Sequence, residues 1–164
     1  MDEFRLNIVK TWFNRAKENI SGPRDDLNKL FFADGLIYIS IAYEALLFGL
    51  FNKKHVASNR RDLSKKYSNL LSEHLSDNLK EAIEMLYEES NRKHIEDMSG
   101  QGKPVWLKSK DDIDNLLEVA YRVRSNLFHG GKDTSDPRNF KLIKYSFIAL
   151  YGLVEIVLQK ENCL

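Results

Sequence analysis

An arginine and a histidine five positions apart are the residues of this chain best suited to chemistry. Arg124 and His129 are followed at once by Gly130, Gly131 and Lys132. A guanidinium binds phosphate through directed N–H groups and stabilises the charge that builds up as a pentavalent phosphorus centre forms. An imidazole takes up and releases protons near neutral pH. This set is the minimum equipment for metal-free cleavage of RNA through its own 2′-hydroxyl group.

The residues around this pair fit phosphate handling as well. The paired glycines Gly130 and Gly131 have no Cβ atom and let a phosphate or a second backbone come close, while Lys132 adds a flexible positive charge. Ser125 and Asn126 occupy the two polar positions after the arginine. A simpler interpretation also exists, because a single histidine near a helix end is usually a C-cap that the helix dipole favours.

A partner for the arginine is predicted from helical spacing. Arg124 falls near the middle of the apolar stripe formed by Ile113, Leu117 and Ala120, and a buried guanidinium needs a partner. Glu44 is the lone charge in an otherwise apolar helix. We expect Glu44 to approach Arg124 and to hold its orientation through a charge-assisted hydrogen bond. In the alternative, Arg124 reaches solvent at the edge of the helix and Glu44 is exposed.

The elements that must position these residues are predicted to be helices, because apolar residues recur at three- and four-residue steps along the chain. The sequence predicts helices over residues 2 to about 20, about 26 to 54, two short peripheral stretches between 59 and 94, 109 to 128 and 136 to about 158. The second is apolar nearly all round, which is typical of a central core helix. A membrane span of similar length is the less favoured interpretation. No strand is predicted.

Helix boundaries are predicted from capping residues. Asn78 and Glu81 form a capping pair for one peripheral helix, and the hydroxyl of Ser109 is predicted to cap the helix that carries the motif. Asp136 followed by Pro137 is the favoured start of the last helix.

Two further features concern the surface. Residues 94 to 104 collect Gly, Ser, Asp and Gln, which predicts an exposed, mobile loop. The apolar excess between residues 147 and 158 is more than one buried stripe needs, which indicates a partner chain. The basic pair Arg60-Arg61 could flank an RNA path or be a solvated helix end, and Tyr43 is most simply a core residue.

Length and composition predict one globular domain over residues 1–164. The formal net charge is +1, so a polyanion could be recognised only through a local patch. Cys163 is the single cysteine, and the amino-terminal residues lack the pattern of a signal peptide, so we expect a cytoplasmic protein outside the membrane. The four histidines are scattered without metal-ligand spacing, so we expect no metal site and no cofactor.

The segment from Arg124 to His129 resembles a known signature, an arginine followed after four to six residues by a histidine, of the HEPN (higher eukaryotes and prokaryotes nucleotide-binding) superfamily. The longer stretch from Val123 to Lys132 is similar to its Apea-like branch. The resemblance covers the fifth helix well and the helix order around it, including Glu44 on the second helix, and does not extend in detail to residues 55 to 110. It implies an all-α, up-and-down helical bundle that dimerises so that two motifs face one cleft.

The resemblance also implies roles for individual residues. Arg124 would bind and polarise the scissile phosphate, and His129 would act as general base or acid. Asn126 and Ser125 would occupy the positions in which family members often carry an orienting side chain; the first of these is frequently Asn in the family and is Ser125 here. The implied function is a metal-independent endoribonuclease, of the kind found in toxin–antitoxin, phage-defence or RNA-processing systems, with an antitoxin or defence-system protein as a further partner.

Two other function classes stay open at this point. One is a non-catalytic HEPN module that binds RNA, a nucleotide or a protein, for example as the partner of a nucleotidyltransferase or as a defence scaffold. The other is a helical oligomerisation domain in which Arg124 and His129 only brace the interface.

Overall fold

The described residues form a bundle of six α-helices in a computed structural model of the chain. The structure describes residues 1–20, 29–52, 55–100, 102–129 and 134–164, without the side chains of Lys29 and Ser72. The helices are α1 (Glu3–Ile20), α2 (Lys29–Phe51), α3 (Val56–Glu73), α4 (Asp77–Arg92), α5 (Ile113–Phe128) and α6 (Pro137–Lys160). The predicted all-α class is confirmed, and no strand occurs in these described ranges.

The two apolar helices α2 and α6 form the centre of the bundle. Helix α2 packs on α1, α6, α3 and α5, as predicted for a core helix, and α6 also packs on α4. Gly35 lies where the two meet: a Cβ at this position would be 2.7 Å from Cζ of Phe147. The absence of a side chain at Gly35 therefore lets the fully buried Phe147 ring lie directly against α2.

The apolar excess of α6 is largely covered within the chain, so this stretch does not by itself require a partner chain, and the partner stays a prediction. Each of the other five helices contacts α6, so α6 is buried on several sides and needs more than one apolar stripe. Its buried residues are Leu142, Ile143, Ser146, Phe147, Ala149, Leu150, Tyr151, Leu153, Val154, Val157 and Leu158.

In the described part of the chain, two helices have the length and hydropathy of a membrane span. They are Leu30–Phe51 and Pro137–Lys160, and 50% and 61% of their apolar windows are buried inside the protein. Core helices of soluble proteins meet the same criteria, so this is weak evidence for a membrane location.

The predicted short peripheral helices are longer than expected. Helices α3 and α4 have 18 and 16 residues, because their single buried stripes continue between charged residues that face solvent. The predicted capping pair of Asn78 and Glu81 is wrong. Helix α4 begins one residue after Ser76, whose Oγ accepts a hydrogen bond from the backbone N–H of Leu79 at 3.3 Å.

The caps of α5 and α6 show one error and one confirmed prediction. Asp112 caps α5, since its Oδ1 accepts a hydrogen bond from the N–H of Asn115 at 3.0 Å. The predicted cap, Ser109, lies too far upstream and accepts a hydrogen bond from the Asp111 N–H instead. Helix α6 starts as predicted, with Asp136 as the cap and proline in the first turn.

The segment between α4 and α5 is exposed in large part, as predicted, but it is not a free loop. Ile95 and Val105 exchange two backbone hydrogen bonds of 2.8 and 2.9 Å, which close the segment into a narrow antiparallel bridge. The side chain of Asn126 on α5 then holds the backbone of Glu96 and Met98. Composition predicts exposure, whereas these long-range bonds depend on the position of α5.

Candidate functional site

Arg124 lies at the edge of the apolar stripe of α5 rather than in its middle. Its side chain is 20% exposed, and Cζ lies 4.4 Å from the ring centroid of Phe128 and 5.6 Å from that of Tyr121. These contacts arise because residues three and four apart are neighbours on a helix surface. Phe128 is 54% exposed, since its ring covers the guanidinium instead of entering the core.

The predicted approach of Glu44 to Arg124 is confirmed, but the expected hydrogen bond between them is absent. Nη2 of Arg124 lies 3.3 Å from Oε1 of Glu44, within ion-pair distance. Nε of Arg124 and this same Oε1 have no hydrogen-bond partner among the described residues. The carboxylate therefore attracts the guanidinium without a hydrogen bond between them, and the buried Nε–H of Arg124 is left without an acceptor among the described residues.

His129 stands directly after the last residue of α5 and is exposed. Its backbone N–H donates to the carbonyl oxygen of Ser125 at 3.2 Å, so it caps the helix as the simpler interpretation expects. At about 100° per residue, a spacing of five positions directs the side chains of Arg124 and His129 about 140° apart around α5. Within one chain the two residues share a helix end, not a helix face.

The polar residues of the motif are used in different ways. Ser125 is half-buried, whereas Asn126 is 1% exposed and both ends of its amide are occupied. Asn126 Nδ2 donates to the carbonyl oxygen of Glu96 at 2.7 Å, and its Oδ1 accepts from the N–H of Met98 at 3.1 Å. In this arrangement Asn126 positions the segment after α4 and does not face a substrate.

The glycines and lysine of the motif cannot be placed in this site. Gly130, Gly131 and Lys132 lie outside the described residues.

A second group of polar residues, which sequence reasoning missed, lines a cavity of about 300 Å³ next to Arg124. Its walls are Tyr43 of α2, Tyr121 of α5 and His55, Val56, Ala57 and Arg60 at the start of α3.

One pattern could have revealed this cavity. Asp114, Glu118 and Tyr121 recur at helical spacing toward Arg124, so they mark a polar stripe beside the apolar stripe of α5. The interpretation of Arg60 as a solvated helix end is wrong: its side chain is 14% exposed. Tyr43 is buried as predicted.

Arg60 is bound to the polar stripe of α5. Its Nε donates to Oδ1 of Asp114 at 2.8 Å, its Nη2 to Oδ2 at 3.3 Å, and its Nη1 lies 3.8 Å from Oε1 of Glu118. These carboxylates raise the pKa of Arg60 against the opposing effect of its burial. These contacts fix α3 against the side of α5 that carries Tyr121.

Neither a metal-binding group nor a similar known protein indicates a function for this site. Among the described residues, no group of three or more His, Cys, Asp and Glu side chains could hold a metal ion. Comparisons with protein-family models, with curated proteins and with solved structures gave no match. The side chains at the end of α5 and beside it are therefore the basis for a functional proposal.

Proposed function

We propose that this chain is a metal-independent endoribonuclease of the HEPN type, which acts as a homodimer with Arg124 and His129 at a shared cleft. The observation that carries the proposal is the state of Arg124. Its guanidinium is held by Glu44 and by two aromatic rings, yet its Nε has no hydrogen-bond partner among the described residues. A buried N–H without an acceptor is costly, and a phosphate bound at this guanidinium would supply acceptor oxygens.

The proposed reaction uses the ribose of the substrate as the nucleophile. The imidazole of His129 takes the proton from the 2′-hydroxyl, and the 2′-oxygen forms a bond to phosphorus while Arg124 stabilises the charge on the phosphoryl oxygens. The bond from phosphorus to the 5′-oxygen breaks, and that oxygen takes a proton from a second imidazole. The products are a 2′,3′-cyclic phosphate and a free 5′-hydroxyl, so protons and electrons balance without a metal ion.

The dimer is part of this proposal because one chain supplies one imidazole and directs it away from its own Arg124. A second copy would bring its His129 to the Arg124 of the first. Exposed Phe128 and Met98 supply an apolar surface at this helix end, which supports association here. A cytoplasmic toxin or phage-defence effector, with an antitoxin or defence-system partner, is the biological role that goes with this chemistry.

The test is cleavage of single-stranded RNA in EDTA by the purified full chain. We expect cyclic-phosphate products from the wild type, and a loss of at least about 100-fold in rate for His129→Ala, because general acid–base catalysis contributes about 10²–10⁴-fold. His74→Ala is the matched control, since His74 is also an exposed helix C-cap, on α3. A wild type that does not cleave, or equal cleavage by both variants, contradicts the proposal.

A non-catalytic HEPN module that binds RNA or a nucleotide is the second candidate. The observation that favours it is the burial of Asn126, which leaves the motif with fewer polar side chains to orient a substrate. In that case the wild type binds single-stranded RNA, Arg124→Ala loses binding, and no cyclic-phosphate product forms.

A further inference from the structure

The cavity beside Arg124 has the size and the lining of a small-ligand site. Its volume of about 300 Å³ lies at the lower end of the range for such sites. One wall is the aromatic ring of Tyr121, and Val56 and Ala57 contribute apolar surface. A flat, largely uncharged ring matches these walls, because it can lie against an aromatic face while its edge reaches polar groups.

Tyr43 belongs to the wall of the cavity, and its buried hydroxyl group, in the field of Arg60 and Asp114, is an unused hydrogen-bonding group. Tyr43 is 2% exposed, and its hydroxyl has no hydrogen-bond partner among the described residues. Burial, the largest cause, raises the pKa of Tyr43 far above its ordinary value, so the group is a neutral donor at any physiological pH. A buried hydroxyl without a partner destabilises the fold, and a ligand that bonds to it removes that cost.

The charges around the cavity disfavour a phosphate inside it. The guanidinium of Arg60 is already paired with Asp114 and Glu118, so two carboxylates face one cation. The cation beside the ring of Tyr121 is Arg124, whose Cζ is 5.6 Å from the ring centroid. A nucleotide could therefore place its base in the cavity and its phosphate at Arg124, with Tyr121 between the two.

We propose that this cavity binds the nucleobase of the nucleotide whose phosphate is bound by Arg124. The base lies against the ring of Tyr121, and the Tyr43 hydroxyl donates to a ring nitrogen or a carbonyl oxygen on its edge. This inference rests on the proposed function, because it names the part of the RNA that accompanies the phosphate. The contact would select one nucleotide beside the cleavage position.

The test measures binding of the four nucleoside 5′-monophosphates and of ribose 5-phosphate to the full chain by calorimetry. We expect at least one nucleotide to bind about tenfold or more tightly than ribose 5-phosphate, which carries the same phosphate without a base. Tyr43→Phe should weaken the binding of that nucleotide about 5- to 20-fold through the loss of one buried hydrogen bond, while the affinity for ribose 5-phosphate stays unchanged. The same variant should unfold at an equal or higher denaturant concentration, since it removes a buried hydroxyl that has no partner.

Filling the cavity supplies a second, independent variant. Ala57 is exposed at the mouth of the cavity, so Ala57→Leu should abolish the preference for nucleotides over ribose 5-phosphate. Asn69→Leu is its control, because Asn69 is exposed on the same helix and does not line the cavity. Equal binding of nucleotides and ribose 5-phosphate, or a preference that survives both Tyr43→Phe and Ala57→Leu, overturns the inference.

The outcome separates this inference from the nuclease proposal. Cleavage in EDTA without any preference for a base would exclude base binding in the cavity and support the nuclease proposal. A nucleotide preference that depends on Tyr43 and Ala57, in a chain that cleaves no RNA, would support base binding and exclude the nuclease proposal.

Discussion

Nη2 of Arg124 on α5 lies 3.3 Å from Oε1 of Glu44 on α2, and the two side chains are 20% and 29% exposed. The pair joins the end of the motif helix to the central helix of the bundle. Because Oε1 of Glu44 and Nε of Arg124 have no hydrogen-bond partners among the described residues, the attraction orients the guanidinium without saturating it.

Glu44→Gln should separate orientation from charge at Arg124. Loss of the carboxylate frees the Arg124 guanidinium to bind RNA in the ground state, so KM should fall. Because the guanidinium is then less constrained in the transition state, kcat should fall about 3- to 10-fold. The free energy of unfolding should change by less than about 1 kcal/mol, because the pair is partly solvated. Steady-state cleavage kinetics and urea unfolding measure these quantities.

The control for this variant is Glu73→Gln, an exposed carboxylate at the end of α3. It should leave kcat and KM unchanged. If Glu44→Gln has the kinetics of the wild type, Glu44 does not orient Arg124 for the reaction.

Asn126→Ala should destabilise the chain by about 1–3 kcal/mol in urea unfolding. The substitution removes one side-chain donor and one acceptor that hold the backbone of Glu96 and Met98 on α5, within a buried environment. Hydrogen exchange should become faster at the Met98 amide. Ser125→Ala, at the half-buried neighbouring position, should cost less than about 0.5 kcal/mol. Equal stabilities of the two variants would contradict the structural role of Asn126.

Glu89→Gln should lower the free energy of unfolding by about 3 kcal/mol, more than a substitution of any one of the cations that it contacts. The Glu89 side chain is 7% exposed and faces three cations: Nη2 of Arg92 at 2.5 Å, Nζ of Lys141 at 3.1 Å and Nε of Arg138 at 3.8 Å. Burial is the main cause that lowers the pKa of Arg138, and the charge of Glu89 opposes it. Removing the carboxylate takes away the largest favourable charge at this partly buried guanidinium, which keeps only its hydrogen bonds to the carbonyl oxygens of Glu89 and Lys93 and the weaker influence of Asp136.

The matched control for Glu89 is the preceding residue, Glu88. Glu88→Gln alters an exposed carboxylate on the same helix and should be neutral within about 0.5 kcal/mol. Chemical denaturation of both variants measures the difference, and a neutral Glu89→Gln would show that the three cations do not depend on it.

Glu161 should make the stability depend on pH in the acid range. The hydrogen bond from the Tyr67 hydroxyl, followed by the contact with Lys66, lowers the pKa of the Glu161 carboxyl in the folded chain against the effect of its burial. A carboxyl with a depressed folded pKa contributes stability that is fully present above its unfolded pKa and is lost as the pH falls through the folded value. Glu161→Gln should therefore lower the free energy of unfolding by about 1–2 kcal/mol at pH 7 and by progressively less as the pH falls through the acid range.

Urea unfolding of the wild type and Glu161→Gln between pH 3 and 7 measures this dependence. Glu155→Gln is not a neutral control, because the Tyr151 hydroxyl contacts that carboxylate; Glu18→Gln, exposed on α1, is the appropriate one. A constant difference across this pH range would exclude the proposed linkage.

The sequence alone determined the helical class, the central position of α2, the start of α6 and the approach of Glu44 to Arg124. Each of these follows from local patterns: helical spacing of apolar residues, a cap followed by proline, and a lone charge on each of two apolar faces that must come together. Such patterns depend on neighbouring residues and on the cost of burying a charge, which the chain carries before it folds.

Only the tertiary structure decided what covers α6, which side chain caps α5, that Asn126 is used to hold a distant segment, and that Tyr43, Arg60 and Tyr121 enclose a cavity. These features join residues from separate helices, and their partners are set by how the helices pack. The apolar excess of α6 looked like an interface because a sequence shows how much surface a helix must bury, not which part of the protein buries it.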